Sequence, residues 1–192
     1  MAAIGETLLY SFARGGDAEE VSLQLKTNPD LNVNWANETE RNWTFLHLAS
    51  CNDHAEVVKL LLAHPAIEVN LKDKYGKTPF LLACAFGRVS VVRVLLKDPR
   101  VDVILEDGNG FTPLWWAAQN GMKEVIEWLV ASGRDLGDVN KKGERSPGIN
   151  YNALGIARER KRTEVVSLLE RFMVNLLCKN TFIGGNRNTY SV

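Results

Sequence analysis

The chain has 192 residues, 45% hydrophobic and 24% charged, which is ordinary for a protein that buries a sizeable core. Its 23 Lys and Arg offset 23 Asp and Glu, so it lacks the positive field that nucleic acid or an anionic membrane would require. Cys51, Cys84 and Cys178 have no Cys-x-x-Cys spacing, no apolar run is long enough to span a bilayer, and no basic-then-apolar leader opens the chain, which excludes a disulfide framework, a zinc site and a secretory signal and leaves the cytoplasm or nucleus as the expected compartment.

Residues 1–28 predict two short helices joined by Gly15-Gly16-Asp17. The second carries Glu20-Val21 and Gln24-Leu25 where later copies carry Val-Val and Leu-Leu pairs, so one flank is polar, as the end of a stacked array requires. Residues 29–43 form a long polar connection with Asn32-Val33-Asn34 near its start. Thr44 then opens a helix, Phe45-Leu46-His47-Leu48-Ala49, followed by a turn at His54 and a second helix, Glu56 to Leu62.

The same unit returns with Gly76-Lys77-Thr78-Pro79-Phe80-Leu81-Leu82-Ala83. Thr78 is a side-chain N-cap and Pro79 sits at the first helical position. Gly87 closes this helix, and Val91, Val92, Leu95 and Leu96 make the buried stripe of the next. Pro65 and Pro99 follow the second helices of these two units and stop them. A third copy runs Gly110-Phe111-Thr112-Pro113-Leu114-Trp115-Trp116-Ala117-Ala118, then Gly121 and Glu124 to Val130. Residues 131–151, with several glycines among charges, predict a long mobile finger. A degenerate copy starts at Asn152, with Lys161 in place of the turn glycine, and residues 179–192 predict a disordered tail.

Thr44, Thr78 and Thr112 are evenly spaced at close to the ~33-residue period of ankyrin repeats, and their surroundings resemble the T-P-L-H-x-A motif of that family. The resemblance covers roughly residues 5–172. It implies an all-α solenoid of about five helix-turn-helix units with β-hairpin fingers. The expected layout is a single domain over 1–178, with units near 2–38, 39–72, 73–106, 107–146 and 147–178. It also implies a monomeric interaction module, adaptor or scaffold, that binds a protein partner through its concave face and uses no cofactor. A regulatory or structural piece of a larger assembly is the alternative, although the polar first unit and the tail favour a whole chain. An enzyme would need a polar cluster in a cleft, and His47, His54 and His64 stand at neither triad nor metal-ligand spacing, so neither catalytic nor metal residues are expected. His47 takes the motif position whose implied role is to hydrogen-bond backbone and the neighbouring repeat.

Carried onto this sequence, the family's concave surface comprises Arg41, Trp43 and Asn52 in one repeat, Lys74, Tyr75, Lys77 and Phe86 in the next, and Asn109, Phe111, Trp115, Gln119 and Asn120 in the third. Trp43, Tyr75 and Phe111 open successive motifs and are expected to form an exposed ladder, with Phe86 facing the same groove. The competing reading is that these aromatics pack along the finger stems. Trp115, which replaces the motif His, either fills a packing gap or lines the groove floor. Trp116 is expected in the core, and Trp128 in the core or on the convex side.

Overall fold

The helix pairs recur along the chain in the computed structural model, which describes residues 2–146 and 149–184. In order they are α1 (Ala2–Gly15) and α2 (Ala18–Thr27), a hairpin of β1 (Ala36–Asn37) and β2 (Trp43–Thr44), α3 (Phe45–Cys51) and α4 (Ala55–Leu62), α5 (Pro79–Ala85) and α6 (Val89–Leu96), α7 (Pro113–Asn120) and α8 (Lys123–Ala131), a hairpin of β3 (Gly143–Ser146) and β4 (Ile149–Tyr151), and α9 (Ala153–Glu159) and α10 (Thr163–Gly184). Local chemistry sets where the first helix of each pair begins. Thr44, Thr78 and Thr112 adopt extended backbone, and each hydroxyl accepts the N–H three residues on, at His47, Leu81 and Trp115. Asn152 does the same for Gly155.

The odd-numbered helices pack on one another in sequence and the even-numbered helices do likewise, giving two layers stacked along one axis. Between the layers lie the apolar stripes: Val57, Val58 and Leu61, then Val91, Val92 and Leu95, then Val125, Ile126 and Leu129, all buried, while Leu96, expected in the second of them, is only half-buried against the core. Cys84 is buried among them. α2 buries Val21 alone, and its Leu23 is 50% exposed, in keeping with the polar flank of the first unit.

Tight approach governs the turns. Gly76 has φ +76°, and a Cβ there would stand 2.5 Å from the amide nitrogen of Gly108 in the next finger. The left-handed turn position of the second pair is filled by Asp53 (φ 65°) and that of the last by Lys161 (φ 55°).

The long finger expected over 131–151 ends in an antiparallel hairpin, Gly143 opposite Tyr151; Pro147 and Gly148 lie outside the described residues. One expectation changes. The tail expected from 179 is helical as far as Gly184, because 163–183 hold neither glycine nor proline and an established helix propagates until something stops it. Residues 185–192 lie outside the described residues.

Candidate partner-binding surface

The fingers are built from turns that orient the candidate side chains. In the first, Arg41 (φ 63°) and Asn42 (φ 57°) both take left-handed backbone, and the Trp43 N–H donates to the Glu40 carbonyl at 3.1 Å. That is the type I′ geometry that matches strand twist. In the second, the Asp73 carboxylate accepts the N–H groups of Tyr75 and Lys77, each at 2.8 Å. In the third, Asp107 accepts those of Asn109 and Phe111 at 2.9 and 3.1 Å. Successive fingers are hydrogen-bonded: the Lys74 N–H donates to the Arg41 carbonyl and the Gly108 N–H to the Tyr75 carbonyl, both at 2.8 Å. Arg41, Lys74 and Tyr75 are thereby brought side by side.

The aromatic residues divide between surface and interior. Tyr75 is 52% exposed and Phe86, just past the end of α5, is 48% exposed. Trp43 is half-buried, its indole N–H donating to Asp73 Oδ2 at 3.0 Å while the Arg41 guanidinium lies 5.5 Å from its ring centroid. Phe111 does not join an exposed ladder. It is only 4% exposed and stacks on Trp115, ring centroids 3.8 Å apart. Trp115, 2% exposed, fills a packing gap instead of lining an open floor. Its indole N–H donates to the Tyr151 carbonyl at 2.9 Å. The equivalent bond in the second unit runs from His47 Nε2 to the Lys77 carbonyl at 3.0 Å, so the Trp reproduces the predicted bond of the motif histidine to the next repeat. Trp116, expected in the core, is half-buried. Too large for the site that Leu48 and Leu82 fill in the earlier units, it donates to Asp107 Oδ2 at 2.9 Å and lies under the Lys77 ammonium, 3.8 Å from its centroid. Trp128 is half-buried beneath Arg93.

Several predicted contact residues are also occupied within the stack. Asn52 Nδ2 donates to the Arg14 carbonyl at 3.2 Å and Asn120 Nδ2 to the Ala85 carbonyl at 2.9 Å. They belong to a series that nothing in the residue types announces. The carbonyl at or near the end of each first helix accepts a side-chain N–H from the following unit: His54 reaches Arg14 at 2.9 Å, Arg88 reaches Cys51 at 2.7 Å, and Arg162 reaches Gln119 at 3.2 Å. These are the carbonyls a helix leaves without an internal partner. The Gln119 side chain is half-buried and that of Asn109 exposed.

Electrostatically, Asp73 and Asp107 are buried and each accepts three N–H groups. Glu40 pairs with Arg14, and its carboxylate, together with burial, raises the Tyr10 hydroxyl to about 12, burial being the larger cause. Glu106 pairs with Lys141. Burial raises the thiols of Cys51 and Cys84, so neither is an activated nucleophile. Among the described residues no cluster of three His, Cys, Asp or Glu could hold a metal ion, and no helix is long and apolar enough to cross a membrane. A shallow depression of about 620 Å³ lies between α2 and α4, away from the fingers.

A family model for ankyrin repeats (3 copies) matches residues 2–73 and 66–141. The chain belongs to the ankyrin-repeat family. It is similar to mouse (Mus musculus) Rabankyrin-5, 35% identical over 81 residues, covering 42% of this chain and 6% of that protein. Human (Homo sapiens) Rabankyrin-5 is 32% identical over 82 residues, 43% of this chain and 7% of that protein. A probable E3 ubiquitin-protein ligase, XBOS32 of Oryza sativa subsp. japonica, is 39% identical over 85 residues, 44% of this chain and 16% of that protein. The ankyrin-repeat chain thus spans a small part of each relative's length.

Proposed function

We propose that this ankyrin-repeat chain is a non-catalytic adaptor, monomeric and cytoplasmic or nuclear, that grips a segment of another protein along its finger rim and the adjoining ends of its first helices. The observation that carries this reading is the exposure of Tyr75 and Phe86, 52% and 48%, at places where repeat stacking requires neither ring. Exposed aromatics of this kind are favoured anchors in protein interfaces. Around them stand Arg41, Lys74, Asn109 and Gln119 as polar contacts and Trp43 and Lys77 at the half-buried margin. Asn52 and Asn120 sit at the edge of the same surface while holding helix ends. Phe111 and Trp115 support it from beneath.

Protein binding is the role ankyrin repeats generally serve, and the relatives carry such repeats within much longer chains, which fits an adaptor. The ligase activity in the name of the rice protein is not extended to this chain, since the match covers only 16% of it. The test is site-specific photocrosslinking in cell extract, with a photoreactive residue replacing Tyr75 or Phe86 and, as controls, Lys59 or Glu127 on the second-helix layer. Crosslinks to a discrete protein from the first pair are the expected result. Crosslinks confined to the control pair would overturn the reading.

A further inference from the structure

We infer that the segment gripped at the finger rim is an acidic peptide stretch bearing an apolar side chain, an inference that rests on the concave-face reading above. Positive charge is left over on the first two fingers. Arg41, Lys72, Lys74 and Lys77 fall within the first two fingers, and no carboxylate pairs with any of them among the described residues. Arg41 lies over the Trp43 ring, Lys77 over the Trp116 ring, Lys72 donates to the Glu106 backbone carbonyl at 2.8 Å, and the Lys74 ammonium has no hydrogen-bond or ion-pair partner among the described residues. Glu38, exposed on the first finger, pairs with none of them, and the other carboxylates of the two fingers are committed elsewhere. Glu40 is held by Arg14, and Glu106 by Lys141. Asp73 is buried and its oxygens are occupied by Tyr75, Lys77 and Trp43 N–H groups.

In a chain with zero formal net charge, this leaves a local cationic rim with one exposed phenol, Tyr75, in its middle. Complementary charge steers association and rejects like-charged partners. An acidic peptide fits better than nucleic acid or an anionic bilayer. Those partners reward positive charge spread over a long track or a broad face, whereas this patch spans two fingers around the Tyr75 ring, with Phe86 exposed at the adjoining helix end.

The experiment is to pan a library of short random peptides on the immobilised full chain, then measure the enriched peptides by fluorescence polarisation beside an oligo-dT strand and vesicles with about a third phosphatidylserine. The variants are Lys74→Glu, at an exposed side chain whose ammonium makes no hydrogen bond or ion pair among the described residues, and Arg41→Asn, since Asn tolerates the left-handed backbone there. Unchanged melting curves establish that both fold. Enriched peptides rich in Asp and Glu around an aromatic or aliphatic residue are expected. Their affinity should fall at least about tenfold in the double variant and severalfold as salt rises from about 50 to about 300 mM. Neutral or basic peptides that bind wild type but not Tyr75→Ala would overturn the charge inference and leave the rim as the binding face. Acidic peptides indifferent to all three substitutions would overturn both. Tighter Lys74-dependent binding of the DNA or the vesicles, or no enrichment at all, would also overturn the inference.

Discussion

His47 is held as a neutral ring by what surrounds it. Its Nδ1 accepts the Thr44 N–H at 3.2 Å and lies 2.8 Å from the Thr44 hydroxyl, while its Nε2 donates to the Lys77 carbonyl at 3.0 Å. A proton added at Nδ1 would face a donor, in a site closed to water. Burial accordingly lowers the pKa from 6.5 to about 4. Because the unfolded chain takes up this proton near its ordinary pKa, it binds more protons than the native state between those values. Stability is therefore fully present above pH 6.5 and is lost as pH falls toward 4, by up to about 1.4 kcal/mol for each pH unit. Urea midpoints measured against pH should show this slope in wild type, and the difference should vanish in His47→Gln. A wild-type curve parallel to that of the variant would refute the account. Trp115→Phe tests the corresponding contact in the fourth unit. It removes one buried hydrogen bond, leaves the Tyr151 carbonyl without that donor, and should cost about 1–3 kcal/mol by denaturation.

At the scale of elements, the turns and stripes set the stability differences. Leu95 is fully buried between the layers, and Leu95→Ala should cost about 2–5 kcal/mol. Lys161 occupies a left-handed position at some cost to an L side chain, so Lys161→Gly should raise the melting temperature, by an amount equivalent to about 1 kcal/mol. The caps, the Gly76 turn and the buried stripes were legible in the sequence because they are local: a Thr or Asn three residues ahead of an N–H, a Gly where φ is positive, and Val and Leu at helical spacing. The placement of the aromatics was not. Trp115 and Trp116 are adjacent and chemically alike, and which one turns inward depends on the distant Tyr151 carbonyl and the Asp107 carboxylate. Phe111 follows Trp115 into the interior by stacking on it, so the expected ladder of three lost a member to a contact that spacing does not encode. Tyr75 and Phe86, which no such partner claims, kept the exposure expected of them.

Over the whole molecule, the stacking is asymmetric. The carbonyls of Arg14, Cys51, Ala85 and Gln119 accept from His54, Arg88, Asn120 and Arg162, and in each case the donor stands in the following unit. The helix-end bonds therefore have a direction, like a row of tiles in which each is pinned by the one laid after it, while the bonds from His47 and Trp115 run the opposite way, from an earlier unit to a later carbonyl. Cutting before α9 would strip the donor from Gln119 and loosen the end of α7. Cutting after Thr27 would uncover the Trp35, Phe45 and Val57 side of the core and return His54 and Asn52 to water, but would leave no helix-end carbonyl without its donor. Hydrogen exchange on two such truncated chains should show faster exchange across the last turn of α7 in the first, and near-native protection at the start of α3 in the second. A unit added to lengthen the chain at its carboxy-terminal side would have to bring its own donor to the exposed carbonyls ending α9. One placed ahead of α1 would meet the Asp17 carboxylate, an acceptor, where His54 and Arg88 stand in later units, and would have to bring a donor to it.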